Sequence, residues 1–364
     1  MKKIMIYAYT SFNLGDDLFI KELCHRYPHV QFYLYSNPKY KSNFKHLKNI
    51  NIIANTNLLY RGTNFLLRNL NINLAVEDIL ARQKDAIIYI GGSIFMQLKG
   101  WEKKFNRIKS VLKSHTPFFI IGANFGPYTD KEFVDGYRSL FRKMKGISFR
   151  DRYSYNLFKD LPNVTLADDV IFQMDTKQYQ ADIEDDYIVI SVIKPSIRKH
   201  LEGYDEIYYE KIKDISIEFA KKGHKVILMS FCEREGDVEA INSVKSLIPE
   251  KYKDYIEEYK YKHDIDGALN IIAQSKYVVA TRFHAMILGW VFKKPVFPIA
   301  YSDKMTNVIK DIDFKGSYVD FHSLKSLNPK LVYDSMETNT VDISEQRAGA
   351  EKHFAKLDDY LKKK

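Results

Sequence analysis

The chain reads as an α/β protein made of two doubly wound, Rossmann-like domains. Three observations predict this. Short apolar runs recur along the 364 residues, amphipathic segments separate them, and the alternation lapses once before it restarts. In the first half the apolar runs fall at residues 4–9, 30–35, 52–54, 86–90, 118–122, 147–149 and 164–167. They are short and lack a helical period, as expected of strands covered on both faces. Residues 175–186 are polar and carry the cluster Asp182-Ile183-Glu184-Asp185-Asp186, which reads as a linker. Strands then resume at 187–192, 225–229, 256–259, 277–281 and 296–300, with helices near 208–222, 237–247 and 285–292. The expected domains are residues 1–175 and 176–340, followed by a C-terminal helix at 341–364 that crosses back to the first domain. Two such domains facing one another give a GT-B-like architecture, with a ligand in the cleft between them.

Composition narrows the function classes. Hydrophobic residues at 45% and charged residues at 28% describe a globular chain. The apolar runs are too short for a membrane-spanning helix. The opening Met1-Lys2-Lys3 resembles a leader, but the polar residues that soon follow make this segment a strand. Two cysteines, Cys24 and Cys232, lie far apart without metal-type spacing, which points to a reducing compartment and a cytoplasmic protein. A net charge of +10 suits nucleic acid, an anionic membrane face or acidic small ligands. No aromatic-interleaved basic module is present, so nucleic acid is not expected. The 14% aromatic content fits sugar-facing or membrane-adjacent surfaces, or equally a Tyr- and Phe-rich core.

The chemistry concentrates at strand ends. After the run 277–281 come Arg282 and His284, and after the run 296–300 comes Tyr301-Ser302-Asp303-Lys304. Ligands of open α/β sheets lie outside the carboxyl ends of strands, so Arg282, His284 and Lys304 are expected on one rim, facing an anion. Any one of them alone would ordinarily be a solvated or structural group; three at sequential strand ends point to a site. If the strand continues to its end, Arg282 and His284 face one side and Phe283 the core. In the first half, Asn13-Leu14-Gly15-Asp16-Asp17 joins the first strand to a helix starting near Leu18. Gly15 there permits a tight turn, and Asn13 or Asp16 caps the helix. Ile90-Gly91-Gly92-Ser93 and Gly122-Ala123-Asn124-Phe125-Gly126-Pro127 each follow a strand, where glycines let backbone approach a ligand. Neither matches a dinucleotide or P-loop pattern. Phe149-Arg150-Asp151-Arg152 offers Arg150 to a phosphate or carboxylate, or to a local Arg-Asp pair.

Taken in order, Asn13-Leu14-Gly15-Asp16, Gly91-Gly92, Gly122 to Pro127, Arg150-Asp151-x-x-Ser154, Ala167-Asp168, Arg282-x-His284 and Tyr301 to Lys304 resemble the polysaccharide pyruvyl transferase family. The family's Asp-Pro-Ala-Phe segment stands here as Asp168-Asp169-Val170-Ile171, and Asp17 replaces a usual Glu, which weakens a role for Asp169 or Asp17. The resemblance implies a GT-B-like fold and transfer of a pyruvyl group from phosphoenolpyruvate to a sugar as a cyclic ketal. It assigns donor binding to Arg150, Arg282, Lys304 and Asn124, and catalysis to His284 with Arg282. Asn13, Asp16, Gly91, Gly92 and Asp168 line the cleft or meet the acceptor. No metal and no cofactor are implied, phosphoenolpyruvate being a co-substrate. Expected partners are a sugar or lipid-linked acceptor and the anionic inner face of the membrane. The rival on the same fold is a GT-B nucleotide-sugar glycosyltransferase; a non-catalytic module for sugars or anionic lipids stands behind it.

Overall fold

The computed structural model describes residues 1–179 and 186–362. Residues 180–185 of the expected linker, with Asp182, Glu184 and Asp185, lie outside the described residues. Two compact units form: one from Met1–Thr10, Asp16–Gln173 and the chain from Gln346 onward, the other from Ser11–Gly15 and Met174–Glu345.

The first unit holds a seven-stranded sheet: β1 (Lys3–Tyr7), β2 (Gln31–Ser36), β3 (Ile50–Ala54), β4 (Ala86–Ile90), β5 (Phe118–Ala123), β6 (Gly146–Phe149) and β7 (Val164–Leu166). Its order is β3-β2-β1-β4-β5-β6-β7, every pair parallel. The second unit holds β8 (Tyr187–Ser191), β9 (Lys225–Ser230), β10 (Ile256–Lys260), β11 (Tyr277–Ala280), β12 (Val296–Ala300) and β13 (Val319–Asp320), in the order β10-β9-β8-β11-β12-β13. These are doubly wound sheets, and each has a switch point where the winding reverses: between β1 and β4, and between β8 and β11. Parallel pairing requires crossover helices, which cover both faces and explain why β5 and β11 are buried along their whole length. The two-residue strand β13 has no counterpart among the expected strands, being too short to show a period.

Much of the aromatic content is core. On one face of the first sheet Trp101 meets Phe133 at 4.9 Å between ring centroids, Phe95 meets Tyr137 at 5.0 Å and Phe125 meets Phe158 at 4.8 Å. Edge-to-face contacts of this kind add to the burial of each ring.

Two helix starts differ from expectation, and both bear on the site. The first helix spans Leu14–Arg26, beginning four residues earlier than Leu18, because the Asn13 side chain accepts the Gly15 amide at 3.1 Å and caps it there. The helix after β11 spans Phe283–Val291, so the strand stops at Ala280 and Arg282 is the helix N-cap. His284 therefore sits in a first helical turn rather than on a strand. The strand alternation on which the expected shared face of Arg282 and His284 rested therefore does not apply.

Candidate active site

In the second unit, loops from the carboxyl ends of β8, β9, β11 and β12 carry the charged groups. Arg282 is buried, and its guanidinium is held by two carboxylates that follow β9, Glu235 in the connecting turn and Asp237 at the start of the helix Asp237–Leu247. Nε donates to Asp237 Oδ2 at 3.0 Å, Nη2 to Asp237 Oδ1, and Nη1 to Glu235 Oε2. Asp237 also accepts the amides of Phe231 and Cys232, at 2.8 and 2.9 Å, so its position is fixed by backbone. Burial alone would raise the Glu235 carboxyl, but Arg282 and Arg198 outweigh it and hold it below the usual carboxylate range. The same carboxylates keep Arg282 charged in spite of burial. The amides of Thr281 and Arg282 both donate to Ser191 Oγ at 3.0 Å, which locks the turn before the helix onto the end of β8.

Asn13 and Gly15 belong to this unit. Asn13 Nδ2 donates to Glu235 Oε1 at 3.2 Å, and the Leu14 amide to the Phe231 carbonyl at 3.0 Å. Gly15 is needed for space: a Cβ built on it would lie 1.7 Å from His284 Nδ1. The expected role of Gly15, a tight or left-handed turn, is corrected accordingly, since it lies within the first helical turn. Lys304, in the first turn of the helix Asp303–Asp311, sets Nζ 4.1 Å from the centre of the Phe283 ring. The Arg198 guanidinium lies 4.6 Å over the Tyr301 ring and donates to Glu235 at 3.0 Å, and the His200 ring nitrogen meets the Tyr301 carbonyl at 3.1 Å.

In the first unit a second cluster gathers at the ends of β4, β5 and β6. Arg150 donates from Nη1 to Asp169 Oδ2 at 2.6 Å and from Nη2 to Asn124 Oδ1 at 3.1 Å. Both members of the Arg150–Asp169 pair are buried. Gly92 makes room for this guanidinium, since a Cβ there would fall 1.9 Å from Nη2. The Asn124 amide donates to the Gly92 carbonyl at 2.8 Å. Gly91 has φ +142°, and the Asp16 carboxylate lies beside it. Gly91, Gly92, Asn124, Asp16 and Arg150 are thus one assembly. The partner of Arg150 is Asp169, not its neighbour Asp151, whose side chain caps the next helix by accepting the Ser154 amide at 2.7 Å. The departure Asp168-Asp169 accordingly leaves Asp169 a definite task. Asp168 turns its carboxylate to Gly349, where a Cβ would lie 1.9 Å from Oδ2.

The family of proteins described as polysaccharide pyruvyl transferase has a model that matches residues 13–303. The chain belongs to the polysaccharide pyruvyl transferase family. It is a transferase of polysaccharide biosynthesis, and the matched span holds every one of these clusters except Lys304 and the tail. A similar curated protein is the amylovoran biosynthesis protein AmsJ of Erwinia amylovora, 22% identical over 311 residues that cover 76% of this chain and 73% of AmsJ. Similar solved structures include S. aureus MnaA with UDP (TM-score 0.62, 13% identity, 99% of this chain and 97% of that one). Another is Anabaena Alr3699/HepE with UDP-glucose (TM-score 0.60, 10% identity, 99% of each chain). A third is E. coli ADP-heptose LPS heptosyltransferase II (TM-score 0.51, 12% identity, 93% and 98%). At such identities the likeness is one of fold, and the fold is GT-B-like.

Several groups in this pyruvyl transferase family member escaped the sequence reading. Arg198 and His200 follow β8 in a stretch of three basic residues, a signal that was present. Glu235 and Asp237 follow β9, but nothing local announces that they hold Arg282. His353, in the tail, hydrogen-bonds Ser148 Oγ at 2.8 Å and the Asp168 carbonyl. Burial pushes its imidazole down to about 4, although Asp169 and the Asp168 carbonyl favour the charged form. The first unit also has a pocket of about 430 Å³ beside the ends of β1 and β4, lined by Tyr7, Tyr89, Glu77, Asp78, Lys104 and Arg107 among others. Arg107 donates to Asp78 at 2.6 Å and to Glu77, and the Tyr7 hydroxyl to Asp78 at 2.7 Å. Among the described residues no group of three or more His, Cys, Asp or Glu is arranged to hold a metal.

Proposed function

We propose that this chain transfers the pyruvyl group of phosphoenolpyruvate to two hydroxyls of a sugar, forming a cyclic ketal and releasing phosphate. The observation that carries the reading is His284, held in the first turn of a helix at the end of β11, packed on Gly15 and preceded by the clamped Arg282. His284 is the acid that protonates the donor's methylene carbon. One sugar hydroxyl attacks the resulting oxocarbenium-like carbon and forms the first C–O bond. The C–O bond to phosphate then breaks, and the second hydroxyl closes the ring. Two hydroxyl protons are released: one replaces the proton taken up by the methylene carbon, and the other leaves with phosphate.

Lys304, Arg150 and Asn124 are assigned to the donor's phosphate and carboxylate, which call for charge-assisted hydrogen bonds. Arg282 is assigned chiefly to positioning, because three of its N–H groups point at Asp237 and Glu235. The acceptor sugar is assigned to the pocket of Tyr7, Tyr89, Glu77 and Asp78, where tyrosine rings and carboxylates suit a sugar face and its hydroxyls. The transferase works in the cytoplasm, on a sugar or lipid-linked acceptor, at the anionic membrane face.

The test is release of phosphate from phosphoenolpyruvate with a panel of soluble and lipid-linked sugars, with UDP-sugars alongside. Acceptor-dependent phosphate release supports the reading. Release of a nucleoside diphosphate instead assigns the chain to nucleotide-sugar glycosyl transfer.

A further inference from the structure

The helix Leu58–Asn69 of the first unit is turned with its more apolar face outward. Its half-buried inner side consists of Tyr60, Asn64 and Leu67, spaced for one helix face. Asn64 anchors that side, accepting the Val76 amide at 2.9 Å and donating to the Tyr35 hydroxyl at 3.3 Å. The outer side carries Leu58 and Leu59, each 79% exposed, Phe65 at 56%, Leu66 at 59% and, just past the helix, Leu70 at 68%. Phe65 and Leu66 repeat the bearings of Leu58 and Leu59 two turns on, so these side chains make one continuous stripe. Exposed apolar patches of this kind mark interaction sites.

The charges beside the stripe narrow the partner. Arg61 and Arg68, also two turns apart, line one flank of it. From Asn55 to Val76 they are the only charged residues, and no acidic residue occurs. A second copy docking through the same face would set these arginines against like charge with no carboxylate in the segment to answer them. An anionic bilayer supplies both an apolar layer for the leucines and phosphates for the arginines. An amphipathic helix with basic residues flanking Leu and Phe lies in such an interface.

We propose that Leu58–Asn69 is a membrane-docking helix that seats the first unit on an anionic lipid surface. This deepens the membrane contact in the function proposed above by naming its element, and it does not depend on the reaction. Asn64, through the Val76 amide, joins the docking helix to the helix Val76–Ala81, which supplies Glu77 and Asp78 to the pocket. A seated first unit therefore holds that pocket close to the bilayer.

The experiment is flotation of the full chain with phosphatidylglycerol/phosphatidylcholine vesicles at low and high salt, for the parent, Phe65→Ser/Leu66→Ser and Arg61→Gln/Arg68→Gln. The parent is expected to float at low salt. The serine pair should lose tenfold or more of the bound fraction at either salt, and the glutamine pair should bind weakly and without salt dependence. Turnover on a soluble acceptor should be unchanged in both, which separates docking from catalysis. If the parent floats and the serine pair floats equally, the helix assignment falls while membrane contact stands. If the parent stays with the soluble fraction at low salt, both fall. A parent dimer that the serine pair dissociates in analytical ultracentrifugation gives the face to a second copy and overturns the proposal. Should the serine pair misfold, Leu59→Cys carrying a polarity-sensitive fluorophore decides the matter, the native Cys24 and Cys232 being buried. A blue shift on adding vesicles supports docking, and an unchanged emission overturns it.

Discussion

The imidazole of His284 occupies the space that a side chain on residue 15 would fill: a Cβ there lies 1.7 Å from Nδ1. Gly15 and His284 therefore behave as one fitted pair, and the position of the proposed acid depends on the absence of an atom far away in the sequence.

Gly15→Ala is expected to push the His284 ring out of place, because a contact below 3 Å cannot be kept and the obstructing atoms belong to the ring itself. Turnover should fall by roughly tenfold or more, since small misplacements of a reacting group are costly. His284→Gln keeps a hydrogen-bonding group but cannot cycle a proton, so turnover should fall roughly 10² to 10⁴-fold with donor binding retained. Steady-state kinetics beside calorimetric donor binding checks both. Near-parental turnover in the glutamine variant would reduce His284 to a scaffold residue.

Arg282→Ala leaves Asp237, which has no exposed surface, without its partner. Breaking a buried pair from one side costs about 3 to 5 kcal/mol. Chemical denaturation should register that loss. Arg282→Lys keeps the charge but not the fork, and should recover only part of it. A variant as stable as the parent would show that the clamp contributes little.

Lys304→Ala should weaken phosphoenolpyruvate binding by about tenfold, the equivalent of one lost charge-assisted contact at roughly 1.4 kcal/mol per decade. The melting temperature should move little, because Lys304 is only half-buried in the first turn of its helix. Calorimetry showing unchanged donor affinity removes Lys304 from the donor site.

His353 makes stability depend on pH. Its folded value is pushed from 6.5 down to about 4 by burial, so between these values the unfolded chain binds the proton and the folded chain does not. Its contribution is complete above about pH 6.5 and is lost as pH falls toward 4, a total of about 3 kcal/mol. Denaturation at pH 7.5 and 5 should register about 2 kcal/mol of it. His353→Gln should flatten the difference by removing the titrating group, and an equal pH response in both proteins would assign the effect elsewhere.

The fold was legible because its signal is local. Strands buried on both faces must be apolar throughout, and the helices between them carry their own period, so runs such as residues 86–90 and 296–300 coincide with β4 and β12. Element ends were less legible where a cap decided them. The Asn13 side chain moves the first helix start to Leu14, and the change from strand to helix before Phe283 leaves no trace in hydrophobic pattern. The helix Leu58–Asn69 was missed because its apolar residues answer to the outside rather than to a core.

By itself the sequence determined the two alternating sheets, the rims on which Arg150, Arg282, His284 and Lys304 stand, and the family whose motifs those rims carry. Tertiary structure decided what each of these groups touches. Asp237 reaches Arg282 across 45 residues, Asp169 rather than adjacent Asp151 takes Arg150, and Gly15 and Gly92 are glycines because His284 and Arg150 fill their side-chain space. The physical reason is that strand and helix formation depend on neighbours along the chain, whereas an ion pair or a shared volume depends on loops that only the finished sheets bring together.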